Sequence, residues 1–252
     1  MTDVQRLRCL AKTVDGRPPQ SVIDHVAALS GVLQVEWWTA RVVPQPEDVK
    51  NSLNAYTGVL DIFCESAEVV AETVLPVLEG DLGGAFSFLR GVVSDAEPEY
   101  DLLRETPPQH IPYQHLPIVW KHGHGPERRE PTGNDLFRYT YFFAYRTDVS
   151  WTDGEDWYLG HHTREGKQLP NLVHYVTWHR RPTVAPQSSV LGLVRVTELC
   201  FESFEDFYAG CYTLKPSWNM GEKHTEVVWT DYFALFLGVE PDIVVAGVDQ
   251  CA

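Results

Sequence analysis

LSGVLQVEWW, residues 29–38, is answered further along the chain by LPNLVHYVTW, residues 169–178, and this pair decides how the chain is to be folded. Each segment sits where a helix gives way to a strand rich in β-branched and aromatic residues. A second echo, Glu65-Ser66-Ala67-Glu68 against Glu202-Ser203-Phe204-Glu205, stands at a strand-to-helix junction in both halves. Two echoes in register with the same order of elements point to an internal repeat.

Outward from the first echo, residues 4–13 alternate as a strand, and the Asp15-Gly16 and Pro18-Pro19 pairs break the chain before a short helix near Ser21. A strand over 32–43, a loop, a strand over 59–64, a helix capped by Ser66 and a strand over 85–93 complete a β-α-β-β-α-β order. The second half repeats it: FRYTYFFAYR at 137–146, a helix opened by Asp153, LVHYVTWHR, a loop holding Pro182 and Pro186, SVLGLVRVTELCF, a helix from Ser203 and EVVWTDYFALFL. A ferredoxin-like repeat carries helices on one face of its sheet, so the other face needs a cover, and a second copy supplies it. The expected fold class is α+β, two ferredoxin-like repeats closing into a pseudo-dimeric barrel. The expected divisions are a first repeat over 1–95, a Pro- and His-rich linker or lid over 96–134, and a second repeat with a C-terminal extension over 135–252.

Composition narrows the function. With 20 Lys and Arg against 35 Asp and Glu the net charge is −15, which repels phosphate backbones and anionic headgroups, so neither nucleic acid nor membrane is expected as a partner. The N-terminal segment lacks the apolar run of a signal peptide, and a cytoplasmic protein is expected. Five scattered cysteines without a CxxC read as reduced thiols. No GxGxxG, Walker A, GxSxG or Cys-His pattern is present, which disfavours nucleotide, phosphoryl and acyl-enzyme chemistry. His122-Gly-His124 and His161-His162 lack an accompanying carboxylate pattern, so no metal is expected. No histidine is singled out as a haem ligand, and no cofactor is expected.

The segment WYLGHHTREGKQLPNLVHYV, residues 157–176, resembles the EthD family of dimeric α+β barrel proteins. Trp157 and His161, four apart, match that family's aromatic-then-histidine helix, and Leu169, Pro170, Leu172 and Tyr175 match the leucine-proline pair and the strand it leads into. LGLVRVTELCFESFEDFYAG, residues 191–210, is similar to the family's third strand and second helix. His162 and Thr163 replace the small residue and proline that commonly follow the histidine, and Asn171 replaces a glycine. The motif likeness spans residues 135–237; residues 4–93 follow only the element order, and His25 lacks the Trp spacing, so the first repeat reads as scaffold. The resemblance implies a cofactor-free enzyme acting on aromatic, polyketide-like or lactone compounds.

Candidate residues follow from spacing. Trp157 and His161 at i and i+4 share a helix face, which sets an imidazole against an apolar wall as a general acid or base, while His162 points about 100° away toward solvent or the linker. On the strand over 172–179, His174, Val176 and Trp178 share one face and Tyr175, Thr177 and His179 the other; His174 with Trp178 is taken as the pocket face. Tyr139, Tyr141, Phe143 and Tyr145 line one face of their strand. Trp229, Asp231 and Phe233 share a face of the last strand, and Asp231 is expected either at a solvated edge or paired with a histidine or Arg195. The catalytic set is therefore His161, His174, Asp231 and Tyr141, with Trp157, Trp178, Trp229, Phe143 and Arg195 binding substrate.

A histidine and an aspartate converging with a tyrosine suffice to remove an acidic C–H proton and hold the enolate, the opening step of isomerisation and elimination. A cofactor-independent lyase or isomerase is the leading reading, with a cofactor-free oxygenase and a non-catalytic binding protein as alternatives. The expected partner is a small aromatic or apolar molecule, and the expected state a monomer or a homodimer.

Overall fold

The computed structural model describes residues 4–47, 49, 52–80, 82–103, 136–167, 169, 171–181, 187–213 and 229–248. The side chains of His161 and Trp229 also lie outside the described part, as do His110, His115, His122, His124 and the greater part of the expected lid. No helix among the described residues is long and apolar enough to cross a membrane.

The first half runs β1 (Gln5–Thr13), α1 (Gln20–Ala27), β2 (Val32–Thr39), β3 (Gly58–Cys64), α2 (Ala67–Val69), a π-helical turn (Val70–Val74), α3 (Leu75–Glu79) and β4 (Phe86–Asp95). β5 (Tyr100–Asp101) follows. The second half runs β6 (Phe137–Tyr145), α4 (Trp151–Trp157), a π turn (Tyr158–His162), α5 (Thr163–Gly166), β7 (Leu172–His179), β8 (Arg195–Phe201), α6 (Phe204–Tyr208), a π turn (Ala209–Thr213) and β9 (Trp229–Leu237), with β10 (Ile243–Ala246) beyond it.

The predicted caps form where a short hydroxyl side chain can satisfy an orphan N–H. Ser66 accepts from the Val69 amide and Ser203 from the Asp206 amide. The first helix of the second half is opened by Ser150, which accepts from the Asp153 amide, and Asp153 itself lies inside the first turn. β8 starts at Arg195, later than the apolar run from Ser189 suggests, because residues 189–190 bend around Glu79, whose carboxylate accepts from both Ser188 and Ser189.

Both sheets are antiparallel and share one order: β10-β2-β3-β1-β4 and β5-β7-β8-β6-β9. The fifth strands are exchanged. β5 leaves the first half and pairs with β7 of the second, while β10 leaves the second half and pairs with β2 of the first. Two equivalent backbone bonds close the barrel, from Arg41 N to the Phe236 carbonyl at 2.7 Å and from Arg181 N to the Val93 carbonyl at 2.9 Å. β2 and β7 carry a bulge at the same place, after Val32 and after Leu172.

Alternation then sorts the side chains into three layers. Between the sheets lie Leu10, Trp38, Val59 and Val92 of the first half against Phe142, Val176, Trp178, Val196 and Leu235 of the second. A charged knot is buried among them. Arg6 pairs with Asp61, Arg8 reaches Asp61 at 3.3 Å and Glu198 at 2.5 Å, and Arg138 stands 3.8 Å from Glu198. Each half's arginines stack on the other half's tryptophan, Arg138 over Trp38 at 4.6 Å and Arg6 over Trp178 at 5.2 Å. Burial alone would push the Glu198 carboxyl up, but Arg138, Arg8 and Arg6 hold it down at about 2.

On its outer face the first sheet packs α1, α2 and α3 over an aliphatic core that includes Leu7, Cys9, Val35, Leu60, Ile62 and Val70. The second sheet's outer core is aromatic. The four described cysteines are buried and form no disulfide with one another.

Candidate active site between the second sheet and its helices

The pairing registers map the first sheet onto the second position by position. Gln5 opposes Cys64 as Phe137 opposes Phe201, so Leu7, Cys9 and Ala11 correspond to Tyr139, Tyr141 and Phe143, and Leu60 to Thr197. Val35 and Trp37 correspond to Tyr175 and Thr177, and Leu89 to Tyr232. Hydroxyl-bearing side chains replace apolar ones at six of these positions, Tyr139, Tyr141, Tyr175, Thr177, Thr197 and Tyr232, while Phe143 stays apolar. Gly58 holds the place of Arg195, and a Cβ there would stand 2.6 Å from the Trp37 ring, which fills the space in the first half.

The hydroxyls of the second half's layer meet one another. Tyr158 Oη lies 2.5 Å from Thr197 Oγ1 and 3.3 Å from Tyr141 Oη, and Tyr139 Oη lies 2.6 Å from Tyr232 Oη. Tyr141 Oη is 3.4 Å from His162 Nε2, long for a ground-state bond but within reach of one that tightens on ligand binding. His162 is 2% exposed, and its ring stacks on Trp157 at 5.4 Å and on Tyr158 at 5.6 Å. Burial raises the hydroxyl pKa of Tyr139, Tyr141, Tyr175 and Tyr232 well above the ordinary value, so they stay protonated donors at neutral pH. Burial raises Tyr158 too, and Arg195, whose guanidinium lies 4.9 Å from the ring centroid, works against that rise.

Arg195 is fully buried and held on both sides. It pairs with Glu155 of α4 and with Glu99 at 3.0 Å, and donates to Thr177 Oγ1 at 3.0 Å. Glu99 arrives on the exchanged segment before β5 and also meets His179 Nδ1 at 2.8 Å. Burial would raise the Glu99 carboxyl, but His179 and Arg195 bring it below its ordinary value.

A cavity of about 250 Å³ opens beside this layer. Its walls are Ser52, Leu53, Ala55 and Tyr56 from the β2–β3 connection of the first half, and Tyr139, Tyr212, Tyr232, Phe233 and Ala234 of the second. Tyr139 and Tyr232 thus belong both to the cavity wall and to the buried layer, where Tyr232 stacks on Tyr141 at 5.4 Å.

Of the residues expected from the sequence, Tyr141, Phe143, Trp157 and Arg195 come together here. His174 and Trp178 do not: they face the other sheet, where Trp178 lies under Arg6 and Arg8 and His174 helps hold Glu198 ionised. The face of β7 that carries Tyr175 and Thr177 is the one under the helices of the second half. Asp231 sits half-exposed, 3.6 Å from Arg90, and Arg195 takes Glu99 and Glu155 instead.

The reading of His162 as solvent-facing is corrected by the π turn over Tyr158–His162, which inserts one residue and makes i+5 the position facing Trp157. Tyr158, Tyr175, Thr177, Thr197 and Tyr232 were missed; the legible signal was polar side chains recurring on one face of otherwise apolar strands. Among the described residues no three His, Cys, Asp or Glu side chains are grouped to hold a metal ion.

No protein family model matches the chain, and no curated protein matches it, so the EthD resemblance rests on residues 157–210 themselves. Solved structures do match. An anthrone oxidase-like protein, 11% identical, aligns over 98% of this chain and 94% of its own with a TM-score of 0.53. The fold is that of the dimeric α+β barrels. A mutant chlorite dismutase from Candidatus Nitrospira defluvii, 12% identical, aligns over 99% and 94% with a TM-score of 0.47. Likeness at such identities shows the barrel and leaves the reaction to the site.

Proposed function

We propose that the second half is a proton-transfer site for a small aromatic or phenolic carbonyl compound, acting as a lyase or isomerase without a cofactor. The observation that carries this reading is the appearance of tyrosine and threonine hydroxyls at second-sheet positions whose first-sheet equivalents are apolar, with the His162 imidazole of the covering π turn beside them. In this reading the Tyr139–Tyr232 pair receives the ligand oxygen and steadies the oxyanion as it develops, because buried phenols that stay protonated donate most strongly where charge appears. His162, beside Tyr141, takes the acid–base role that the sequence assigns to His161.

The test is solvent deuterium exchange into an aromatic ketone with an acidic C–H, such as 2-tetralone, followed by NMR. The protein is expected to accelerate exchange, and His162→Gln to slow it by roughly 10²- to 10⁴-fold while circular dichroism is unchanged. If His161→Gln alone has that effect, the role returns to His161; no acceleration by the intact protein overturns the reading.

A cofactor-free oxygenase is the second reading, favoured by the likeness to an anthrone oxidase-like protein. There the enolate would meet O₂ instead of a proton, so oxygen uptake in step with exchange separates the two.

A further inference from the structure

The cavity at the Tyr139–Tyr232 pair is bordered, among the described residues, by aromatic, aliphatic and hydroxyl side chains and by no charged one. An anion placed inside would lose its hydration and gain no cation. Among the described residues, Asp231 acts on Tyr56 from outside the lining, and it is paired with Arg90 at 3.6 Å, both half-exposed.

One wall comes from the first half. Tyr56 is held in a cluster of three rings from three elements, 5.3 Å from Phe88 of β4 and 5.9 Å from Phe233 of β9, with Phe88 and Phe233 5.2 Å apart. Burial, and after it Asp231, pushes the Tyr56 hydroxyl up to about 12, so this wall is neutral too. A site whose wall is donated across the barrel is complete only in the two-repeat chain.

We infer that this cavity selects an uncharged planar ligand over its carboxylate counterpart, and that Tyr56 is the residue setting its steric limit. The inference rests on the cavity being the substrate site of the proposed reaction and deepens that reading by naming the charge class. At about 250 Å³ the space lies below the roughly 300–1,000 Å³ of pockets for drug-sized molecules, which suits a ligand of about two or three fused rings.

Calorimetric titration of the intact protein with 1-naphthol and with 1-naphthoate tests it, in 0.5 M salt so that the chain's net charge of −15 is screened. Naphthol is expected to bind at least tenfold more tightly than naphthoate. Tyr56→Ala should weaken naphthol about tenfold, and Tyr56→Phe, which keeps the ring cluster, should leave it within about twofold. Equal affinity for the two probes, no saturable naphthol binding, or an unchanged affinity in Tyr56→Ala would each overturn the inference. Failure of the proposed reaction shows separately, as naphthol binding with this pattern alongside no deuterium exchange.

Discussion

Glu198→Gln tests the knot between the sheets. Glu198 is ion-paired with Arg8 at 2.5 Å and faces Arg138 at 3.8 Å, and these cations hold its carboxyl, against burial, at about 2 instead of the ordinary 4.5. At about 1.36 kcal/mol per pH unit, that difference is worth roughly 3 kcal/mol of stability at pH 7. It agrees with the roughly 3–5 kcal/mol lost when one partner of a buried pair is removed.

The folded pKa lies below the unfolded one, so the contribution is present above about pH 4.5 and drains away as the pH falls toward 2. Linkage leaves roughly 1 kcal/mol of it at pH 3. Urea denaturation of wild type and variant at both pH values reads the gap directly. The expectation is a gap of about 3 kcal/mol at pH 7 that narrows by about 2 kcal/mol at pH 3. A gap under about 1 kcal/mol at pH 7, or one that does not narrow, refutes the assignment of Glu198 as the anchor of the knot. Adding Arg8→Met to the variant should recover part of the loss, since without Glu198 the buried Arg6 and Arg8 are left sharing the one carboxylate of Asp61.

Three further outcomes are expected. Arg195→Met leaves the partly buried Glu99 and Glu155 carboxylates without their shared cation, Glu99 keeping His179, so thermal unfolding should show a loss of about 3 kcal/mol. Gly31 has φ +78° and a Cβ there would meet Val69 Cγ2 at 2.7 Å, so Gly31→Ala should cost at least about 1–2 kcal/mol. At the equivalent Asn171, φ +59°, Asn171→Gly should be neutral within a few tenths of a kcal/mol by the same measurement.

Much of the fold was legible because it is written in local chemistry. Ser66 and Ser203 mark helix starts by the hydrogen bond a short hydroxyl makes, and the period of two in FRYTYFFAY separates Tyr139, Tyr141, Phe143 and Tyr145 from Arg138, Thr140, Phe142 and Ala144 whatever lies around them. The echo of residues 29–38 in 169–178 placed Trp38 and Trp178 at one structural position, which the arginine stacking bears out on both sides of the barrel.

The sequence by itself determined the elements, their order and which side chains of a strand travel together. Which of two faces meets the helices was decided only by the packing of whole sheets, so the histidine that looked like the pocket residue, His174, lies between the sheets and Tyr175 takes the helix side. The inserted residue of a π turn likewise rotated Trp157 onto His162, since a single extra residue in a helix changes every face after it while leaving the apolar spacing nearly intact. The exchange of β5 and β10 and the cavity wall from Tyr56 are contacts between segments far apart in the chain, whose pairing depends on shape complementarity that no local pattern encodes.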